Sequence, residues 1–421
     1  MIAIEQEHIV VALDFYNDQE KAKLLAYPTA PKIVHVVKHG LKIPTPEFLT
    51  YFLFHRKRPG VPGYRRYQDI QQKIGIALSM LDEFVNFNGQ SIDWPKEAIN
   101  QIGYVTEYIG ESIGLAAINR IHGLTQADWV KITEIHGPNA PPVFDYEQLA
   151  TDGENLIQLE TKGSSVKDNS QLTDVIRAHK ANITKKKRRI AELKTQYPYP
   201  SSIRYGTITA VSAQPGSTLK CWLLDPDPEP LATNPRNLRL LNRMRFLRDW
   251  ISFISARSQL AAALATRIAD LEAMANPFEL DTVPLRKGNN NPFHFEIFTT
   301  ATQRHSTFFS NKSRVKDGPA GGVLLQTSDT ALFFLGIREE LLSLACEQVF
   351  GSILDYKADV GSILKRVECV LSQGRFKRFK LPASVRNSVR VSGPYLAFDL
   401  TGQLHYTREG LVVGVLPLPR E

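Results

Sequence analysis

Hydrophobic and polar residues alternate along residues 142–163, PVFDYEQLATDGENLIQLETKG. Two runs in this segment, 143–149 and 155–162, are rich in residues that suit β-strands. Asp152-Gly153, which lies between the runs, is a strong signal for a two-residue hairpin turn. The pattern therefore predicts a β-hairpin in which the numbers of paired residues sum to about 305.

That register places Asp145 opposite Glu160, and directly opposed side chains share one face of a sheet. Because side chains alternate along a strand, Gln158 and Lys162 point the same way as Glu160, and the residues between them point the other way. We expect the second face to be apolar and to pack against the rest of the protein. The first face then presents two carboxylates and an ammonium group.

Opposed carboxylates repel each other unless a positive charge lies between them, and a divalent cation with oxygen ligands meets that need. Lys162, one pleat away, is placed to stabilise charge on a phosphate or to hold an attacking water. The alternative is that Glu-x-Lys is a solvated, salt-bridging strand face, which is common. The pattern favours a metal-dependent phosphodiesterase site.

Apolar residues recur with helical spacing on both sides of the hairpin. One helix is expected from Asp93, which suits an N-cap, to about His122, and another over residues 172–193. Strands are expected at 129–135 and 202–211. The order of elements is then helix, three strands, helix, strand.

This order, and an Asp followed by Glu-x-Lys at the end of the next strand, resemble the PD-(D/E)xK nuclease superfamily over residues 94–212. The resemblance implies an α/β fold with a restriction-endonuclease-like αβββαβ core. It implies that Asp145 and Glu160 bind Mg²⁺ or Mn²⁺, together with the backbone carbonyl of Thr161, and that Lys162 positions water and offsets phosphorane charge. The sequence departs from the family pattern in having Phe144, not Pro, before the aspartate.

A helix before the hairpin often supplies a further glutamate in this superfamily. Glu107 and Glu111 are four residues apart, so they share one face of the predicted helix. The resemblance implies that Glu111 completes the catalytic and metal-binding cluster, with Glu107 as the second choice. The alternative is a solvent-facing glutamate on an amphipathic helix.

Basic residues are dense on two predicted helices and suit contacts with the phosphates of nucleic acid. The candidates are Lys180, Lys185, Lys186, Arg188 and Arg189 after the hairpin, and Arg236, Arg239 and Arg243 further on. A solvated charged surface is the alternative for both sets. DNA is the expected partner, ahead of RNA.

The composition fits this interpretation without requiring it. With 421 residues, 43% hydrophobic and 22% charged, the chain is typical of a globular protein of two or three domains. A formal net charge of +8 favours a polyanionic partner. The absence of a long apolar run predicts a soluble, cytoplasmic protein with no membrane partner, and the three widely spaced cysteines suit a reducing compartment.

The remaining pattern predicts a very long helix and a mixed C-terminal region. The helix is expected at 234–274, with strands at 293–300 and 322–326, a helix at 338–350 and a hairpin around 399–402. The expected domains are a helical N-terminal flank (1–92), the nuclease-like core (93–228), a long helical connector (229–278) and an α+β C-terminal domain (279–421).

The sequence therefore predicts a Mg²⁺-dependent endonuclease that hydrolyses phosphodiester bonds. By analogy with other nucleases that carry large flanking regions, restriction or anti-phage defence is the expected role. The alternative is a catalytically silent or partner-activated nucleic-acid-binding subunit of a defence or repair complex. Either a homo-oligomer or a complex with a partner protein is compatible with the chain.

Overall fold

A computed structural model describes most of the chain, in segments separated by gaps. The described residues are 6–55, 67–94, 103–133, 137, 140–150, 155–193, 196–199, 201–228, 236–256, 258–272, 312–318, 320–347 and 349–420. They fold as two compact units: Met1–Arg56 with Leu78–Asn242, and Lys57–Ala77 with Arg243–Glu421.

The helices are numbered in chain order. They are α1 (Asp18–Leu25), α2 (Ala30–His39), α3 (Thr45–Phe54), α4 (Tyr67–Phe84), α5 (Gly103–His122), α6 (Asp174–Leu193), α7 (Arg236–Ile254), α8 (Gln259–Glu272), α9 (Glu339–Glu347), α10 (Phe350–Asp355), α11 (Gln373–Arg378) and α12 (Ala383–Asn387). None of these helices is long and apolar enough to cross a membrane.

The strands of the first unit are β1 (His8–Phe15), β2 (Leu41–Pro44), β3 (Asn86–Phe87), β4 (Ile92–Asp93), β5 (Val130–Lys131), β6 (Tyr146–Leu149), β7 (Leu156–Val166), β8 (Ile203–Ser212) and β9 (Leu219–Pro228). Those of the second unit are β10 (Ser313–Val315), β11 (Ala320–Ser328), β12 (Ala331–Arg338), β13 (Gly361–Ser372), β14 (Arg390–Ser392), β15 (Tyr395–Tyr406) and β16 (Leu411–Pro417). The protein is thus a mixed α/β protein, as expected.

One mixed sheet organises the first unit, with strand order β2-β1-β9-β8-β7-β6-β5. Strands β5, β6 and β7 form an antiparallel meander, and α6 then crosses over so that β8 runs parallel to β7. The predicted order of helix, three strands, helix and strand is therefore present from α5 to β8.

The register of the predicted hairpin is confirmed. Tyr146 pairs with Leu159 and Leu149 pairs with Leu156, so the two numbers sum to 305 in each pair. Beyond the ladder, the backbone N–H of Ala150 donates to the carbonyl of Asn155 at 2.8 Å, which continues the same register. The turn dipeptide Asp152-Gly153 lies outside the described residues.

Both faces of β7 are covered, whereas the sequence predicted one apolar face and one open face. Helix α5 packs on one face so closely that a Cβ added to Gly110 would lie 2.5 Å from the Cα of Gly163. Helix α6 covers the other face, where Ile176 and Ile183 pack with apolar residues of β8 and β9. Two residues of the polar row of β7, Gln158 and Glu160, are consequently buried, at 0% and 1% exposed.

The predicted N-terminal flank is not separate from the core. Strand β1 pairs with both β2 and β9, so residues before position 92 contribute to the central sheet. Asp93 lies in β4 and is not a helix N-cap, because its carboxylate accepts hydrogen bonds from Gly216 N at 2.7 Å and Asn88 Nδ2 at 3.0 Å. The predicted boundary at 92/93 is therefore wrong.

The predicted long connector helix is two helices, α7 and α8. The hydroxyl of Ser258 accepts a hydrogen bond from the backbone N–H of Ala261 at 3.3 Å, as expected for a residue that caps the start of a second helix. The two units also divide at 242/243, and not at the predicted 228/229 and 278/279.

In the second unit an antiparallel sheet closes on itself. The order is β13-β10-β11-β12-β16-β15, and β15 pairs again with β13 along its whole length, while β14 is added to β15. The predicted strand at 322–326 lies within β11, and the predicted helix at 338–350 corresponds to α9 and the start of α10. The hairpin predicted at 399–402 is wrong because β15 runs straight through it, and the turn falls at Gly410, where φ is +88°. The strand predicted at 293–300 lies outside the described residues.

All three cysteines, Cys221, Cys346 and Cys369, are buried and free of disulfide bonds. Burial raises the pKa of the Cys221 thiol to about 12, so this thiol stays protonated and unreactive at neutral pH. The cysteines therefore behave as small core residues.

Candidate functional site

Asp145 is held at the start of β6 by the backbone of the neighbouring strand. Its Oδ2 accepts hydrogen bonds from the backbone N–H of Thr161 at 3.0 Å and from the Thr161 hydroxyl at 3.3 Å. In turn, its carbonyl accepts from the backbone N–H of Ile132 at 3.3 Å. These contacts fix the Asp145 carboxylate beside the Glu-x-Lys stretch of β7.

Glu160 is the centre of the site. Its side chain is 1% exposed and contacts two ammonium groups. Lys162 Nζ lies 2.6 Å from Glu160 Oε1, and Lys186 Nζ, from α6, lies 2.6 Å from Oε1 and 2.7 Å from Oε2. The sequence predicted the first lysine here but not the second.

The electrostatics show that Asp145, Glu160 and Lys162 form one cluster. Burial raises the pKa of Glu160, and the charge of Asp145 raises it further, while Lys162 and Lys186 oppose both effects. For Lys162, burial acts to lower the pKa, but the charges of Glu160, Asp145 and Glu107 outweigh it and the pKa is raised. Two repelling carboxylates in a buried site are thus balanced by two lysines.

The two α5 glutamates, of which Glu111 was predicted to join the site ahead of Glu107, differ in their surroundings. Glu107 is exposed, and its charge acts on Lys162. Glu111 is 2% exposed, and its Oε2 contacts His55 Nε2 and accepts a hydrogen bond from the Tyr146 hydroxyl at 3.2 Å. Because Tyr146 pairs with Leu159, whose side chain points away from the Glu160 face, these contacts engage Glu111 on the α5 side of the sheet.

A histidine that the sequence analysis missed lines the α6 side of the site. His179 Nε2 lies 2.6 Å from the hydroxyl of Ser164, which is on the same face of β7 as Glu160. Burial lowers the pKa of His179, and the charge of Lys162 lowers it further. The seven-residue spacing between His179 and Lys186, which places both on one helix face, was the available signal.

The basic residues predicted on α6 differ in their surroundings. Lys185, Arg188 and Arg189 are exposed, with Arg188 Nε 3.8 Å from a carboxylate oxygen of Glu192. Lys180 Nζ lies 3.3 Å from a carboxylate oxygen of the buried Glu20, and Lys186 contacts Glu160. For the three exposed residues the phosphate contacts stay a prediction.

The predicted phosphate contacts of Arg239 and Arg243 are wrong. Arg239, in the first unit, is 3% exposed and its Nε lies 3.0 Å from Asp128 Oδ1. Arg243, in the second unit, is 2% exposed and donates to the carbonyls of Ile353 at 2.9 Å and Tyr356 at 3.0 Å. Both guanidinium groups therefore bind partners inside the protein. The side chain of Arg236 lies outside the described residues.

The donor chemistry of the site fits a hard divalent cation. Among the described residues no group of three or more His, Cys, Asp or Glu side chains could hold a metal ion. Asp145 and Glu160 nevertheless supply two carboxylates whose mutual repulsion a cation relieves, and Mg²⁺ commonly binds through one or two carboxylates and several waters. A cation on Glu160 requires at least one ammonium group to leave that carboxylate.

Comparisons with known proteins give no relative. No protein-family model matches the chain. Neither a search of curated proteins nor a search of solved structures found a match.

Proposed function

We propose that the protein is a metal-dependent nuclease that hydrolyses phosphodiester bonds of nucleic acid, with DNA as its main substrate. The observation that carries the proposal is the cluster of Asp145, Glu160 and Lys162, in which an aspartate just before β6 is held by the backbone of the Glu-x-Lys stretch on the adjacent strand. Paired carboxylates and a lysine are the groups that metal-assisted attack on phosphorus needs.

The surrounding topology supports a restriction-endonuclease-like core. The antiparallel meander β5-β6-β7, the crossover helix α6 and the parallel strand β8 follow α5 in the order that the PD-(D/E)xK resemblance implies. The site lies where β6 begins and β7 continues past it to Val166. Beyond Leu159, β7 therefore has no ladder partner in β6, and this edge is the place for an approaching backbone.

Asp145, Glu160 and the backbone carbonyl of Thr161 would hold Mg²⁺ or Mn²⁺. When bound, such an ion supplies a nearby water of lowered pKa and a Lewis acid for a phosphate oxygen. Lys162 orients the attacking water and donates hydrogen bonds to the phosphate as negative charge builds up on it. The water oxygen attacks phosphorus in line, and the bond to the 3′ oxygen breaks.

Exposed basic residues of α6 would contact the nucleic-acid backbone. The outer side of α6 presents Lys185, Arg188 and Arg189 to solvent. The inner side of the same helix places Lys186 and His179 against β7. Three phosphate contacts on duplex DNA correspond to a log-log salt slope of roughly −2.7. A role in restriction or anti-phage defence stays a prediction from analogy.

A partner-activated or catalytically silent nucleic-acid-binding subunit is the second candidate. It is favoured by one specific observation: both carboxylate oxygens of Glu160 are engaged by lysines, and Asp145 Oδ2 is engaged by Thr161. In that case a second copy or a partner protein opens the site.

Cleavage of supercoiled plasmid, single-stranded DNA and RNA with Mg²⁺ or Mn²⁺ tests the proposal. We expect metal-dependent cleavage that EDTA removes, and a loss of at least about 10²-fold in Asp145→Ala and Lys162→Ala. Glu83→Gln, at an exposed position of α4, is the control for surface charge. Binding of nucleic acid without cleavage under any of these conditions would instead support the second candidate.

A further inference from the structure

The second lysine on Glu160 has no part in the mechanism above, yet it occupies the carboxylate that the metal requires. We propose that Lys186 is a second catalytic lysine, which holds Glu160 while no metal is bound and moves to the scissile phosphate when a divalent cation takes that carboxylate. The inference rests on the proposed function and deepens it by assigning a substrate-binding group on α6.

The contacts of the two lysines indicate which one leaves. Lys186 bridges both carboxylate oxygens of Glu160, at 2.6 and 2.7 Å, so a cation cannot reach this carboxylate while the bridge persists. Lys162 lies on β7 itself, two residues from Glu160, and the charges of Asp145 and Glu107 act on it as well. Lys186 reaches Glu160 from a different element, α6, which also carries the exposed Lys185, Arg188 and Arg189, so it is the lysine that can turn outward to a ligand.

The ammonium group of Lys186 lies at the border of the buried site. Its side chain is 27% exposed, and its Nζ lies 5.9 Å from the ring centroid of the buried Phe144, next to Asp145 in the sequence. Lys185, Arg188 and Arg189 are exposed on the same helix. A nucleic-acid backbone that contacts these residues would therefore pass close to Lys186.

Lys186 also adds positive charge where the reaction needs it. The ammonium groups of Lys162 and Lys186 contact the carboxylate of Glu160, and Asp145 and the exposed Glu107 are further anionic neighbours of Lys162. Attack by hydroxide on a phosphodiester monoanion gives a transition state with two negative charges. A lysine released from Glu160 adds one positive charge to those of the cation at that transition state.

Lys186 donates hydrogen bonds in this scheme and transfers no proton. The bond between the water oxygen and phosphorus forms, the bond to the 3′ oxygen breaks, and the leaving oxygen takes the electron pair. The proton of the water passes to solvent, and a proton from solvent neutralises the 3′ oxygen. Thus the expected effect of Lys186 lies in charge stabilisation, for which removal of one donor typically reduces the rate by about 10²–10³-fold.

The decisive measurement is Mn²⁺ binding to the full chain by calorimetry, without nucleic acid. Lys186→Met removes a competing positive charge, so we expect Mn²⁺ to bind at least about tenfold more tightly than to the wild type. Arg177→Met, at an exposed position of the same helix, is the matched control for the loss of a positive charge and should leave Mn²⁺ affinity unchanged. Lys186→Arg retains the charge and should bind Mn²⁺ much like the wild type, and Lys186→Gln provides a second neutral variant if the Met variant fails to fold.

Single-turnover cleavage of a labelled DNA duplex at saturating Mn²⁺ completes the test. Lys186→Met should cleave about 10²–10³-fold more slowly although it binds the metal more tightly, a combination that a merely structural lysine does not produce. Unchanged or weaker Mn²⁺ binding in both Lys186→Met and Lys186→Gln would overturn the proposal that the metal displaces Lys186 from Glu160. Tighter Mn²⁺ binding with an unchanged cleavage rate would overturn the proposal that Lys186 contacts the scissile phosphate. If the variants show the expected Mn²⁺ affinities but the wild type cleaves no substrate, the proposed nuclease function is refuted and the displacement of Lys186 by the metal is supported.

Discussion

Two buried glutamates lie on opposite sides of the same strand pair and have different surroundings. Glu160 has a second carboxylate, Asp145, as a neighbour and two lysines that are 28% and 27% exposed. Glu111 has His55, whose side chain is 1% exposed, and the hydroxyl of the buried Tyr146. The Glu160 partners can move into solvent or onto a ligand, whereas the Glu111 partners are enclosed.

The comparison shows why burial alone does not mark a functional carboxylate. An enclosed carboxylate that is matched by an equally enclosed partner is part of the core. A carboxylate beside a like charge, balanced by side chains that reach solvent, can exchange those partners for a cation. We therefore assign chemistry to Glu160 and structure to Glu111.

The largest expected effect is on cleavage. Glu160→Ala should reduce metal-dependent cleavage by more than about 10³-fold, because it removes both a metal ligand and the group that orders the two lysines. In contrast, Glu111→Ala should cleave within about tenfold of the wild type per folded molecule. Single-turnover assays below the unfolding temperature of both variants measure this difference. Equal loss in the two variants would contradict the assignment.

The next largest effect is on stability, for which Glu111 should matter more than Glu160. Glu111→Ala should lower the free energy of unfolding by about 3–5 kcal/mol, because it leaves His55 and Tyr146 buried without their partner. Glu160→Ala should cost only about 1 kcal/mol, since the lysines can turn to water and the repulsion with Asp145 disappears. Urea unfolding followed by circular dichroism measures both values. A larger loss of unfolding free energy in Glu160→Ala than in Glu111→Ala would contradict the structural role of Glu111.

The smallest effect is a pH dependence of stability at Glu160. Burial, and then Asp145, raise the folded pKa of Glu160 above its ordinary value of 4.5. A raised carboxyl pKa means that ionisation destabilises the fold above the folded pKa, and that this cost disappears as the pH falls toward the ordinary value. The stability that Glu160→Gln gains over the wild type should therefore be largest at neutral pH. This gain should decline on acidification, by about 1.4 kcal/mol for each unit by which the pKa is raised. A difference that stays constant between pH 7 and pH 4 would show that the pKa is not raised.

The sequence by itself determined the hairpin and the charged residues that it brings together. Alternation and a two-residue turn signal are local, so the register that puts Asp145 beside Glu-x-Lys could be counted from residue numbers alone. The order of helices and strands around the hairpin follows from local periodicity in the same way.

Only the tertiary structure decided which charged residues meet. Lys186, His179, Arg239 and Arg243 all belong to basic or mixed helical stretches, and the sequence does not say which side of a helix faces a strand. Packing turns Lys186 onto Glu160 and buries the two arginines, and α5 directs Glu107 and Glu111 to different surroundings. The closure of the second sheet likewise depends on β15 pairing with β13 across the intervening residues 373–394, a long-range contact that no local pattern encodes. Local periodicity fixes each element, whereas the partner of each side chain is fixed by contacts between elements that are distant in the chain.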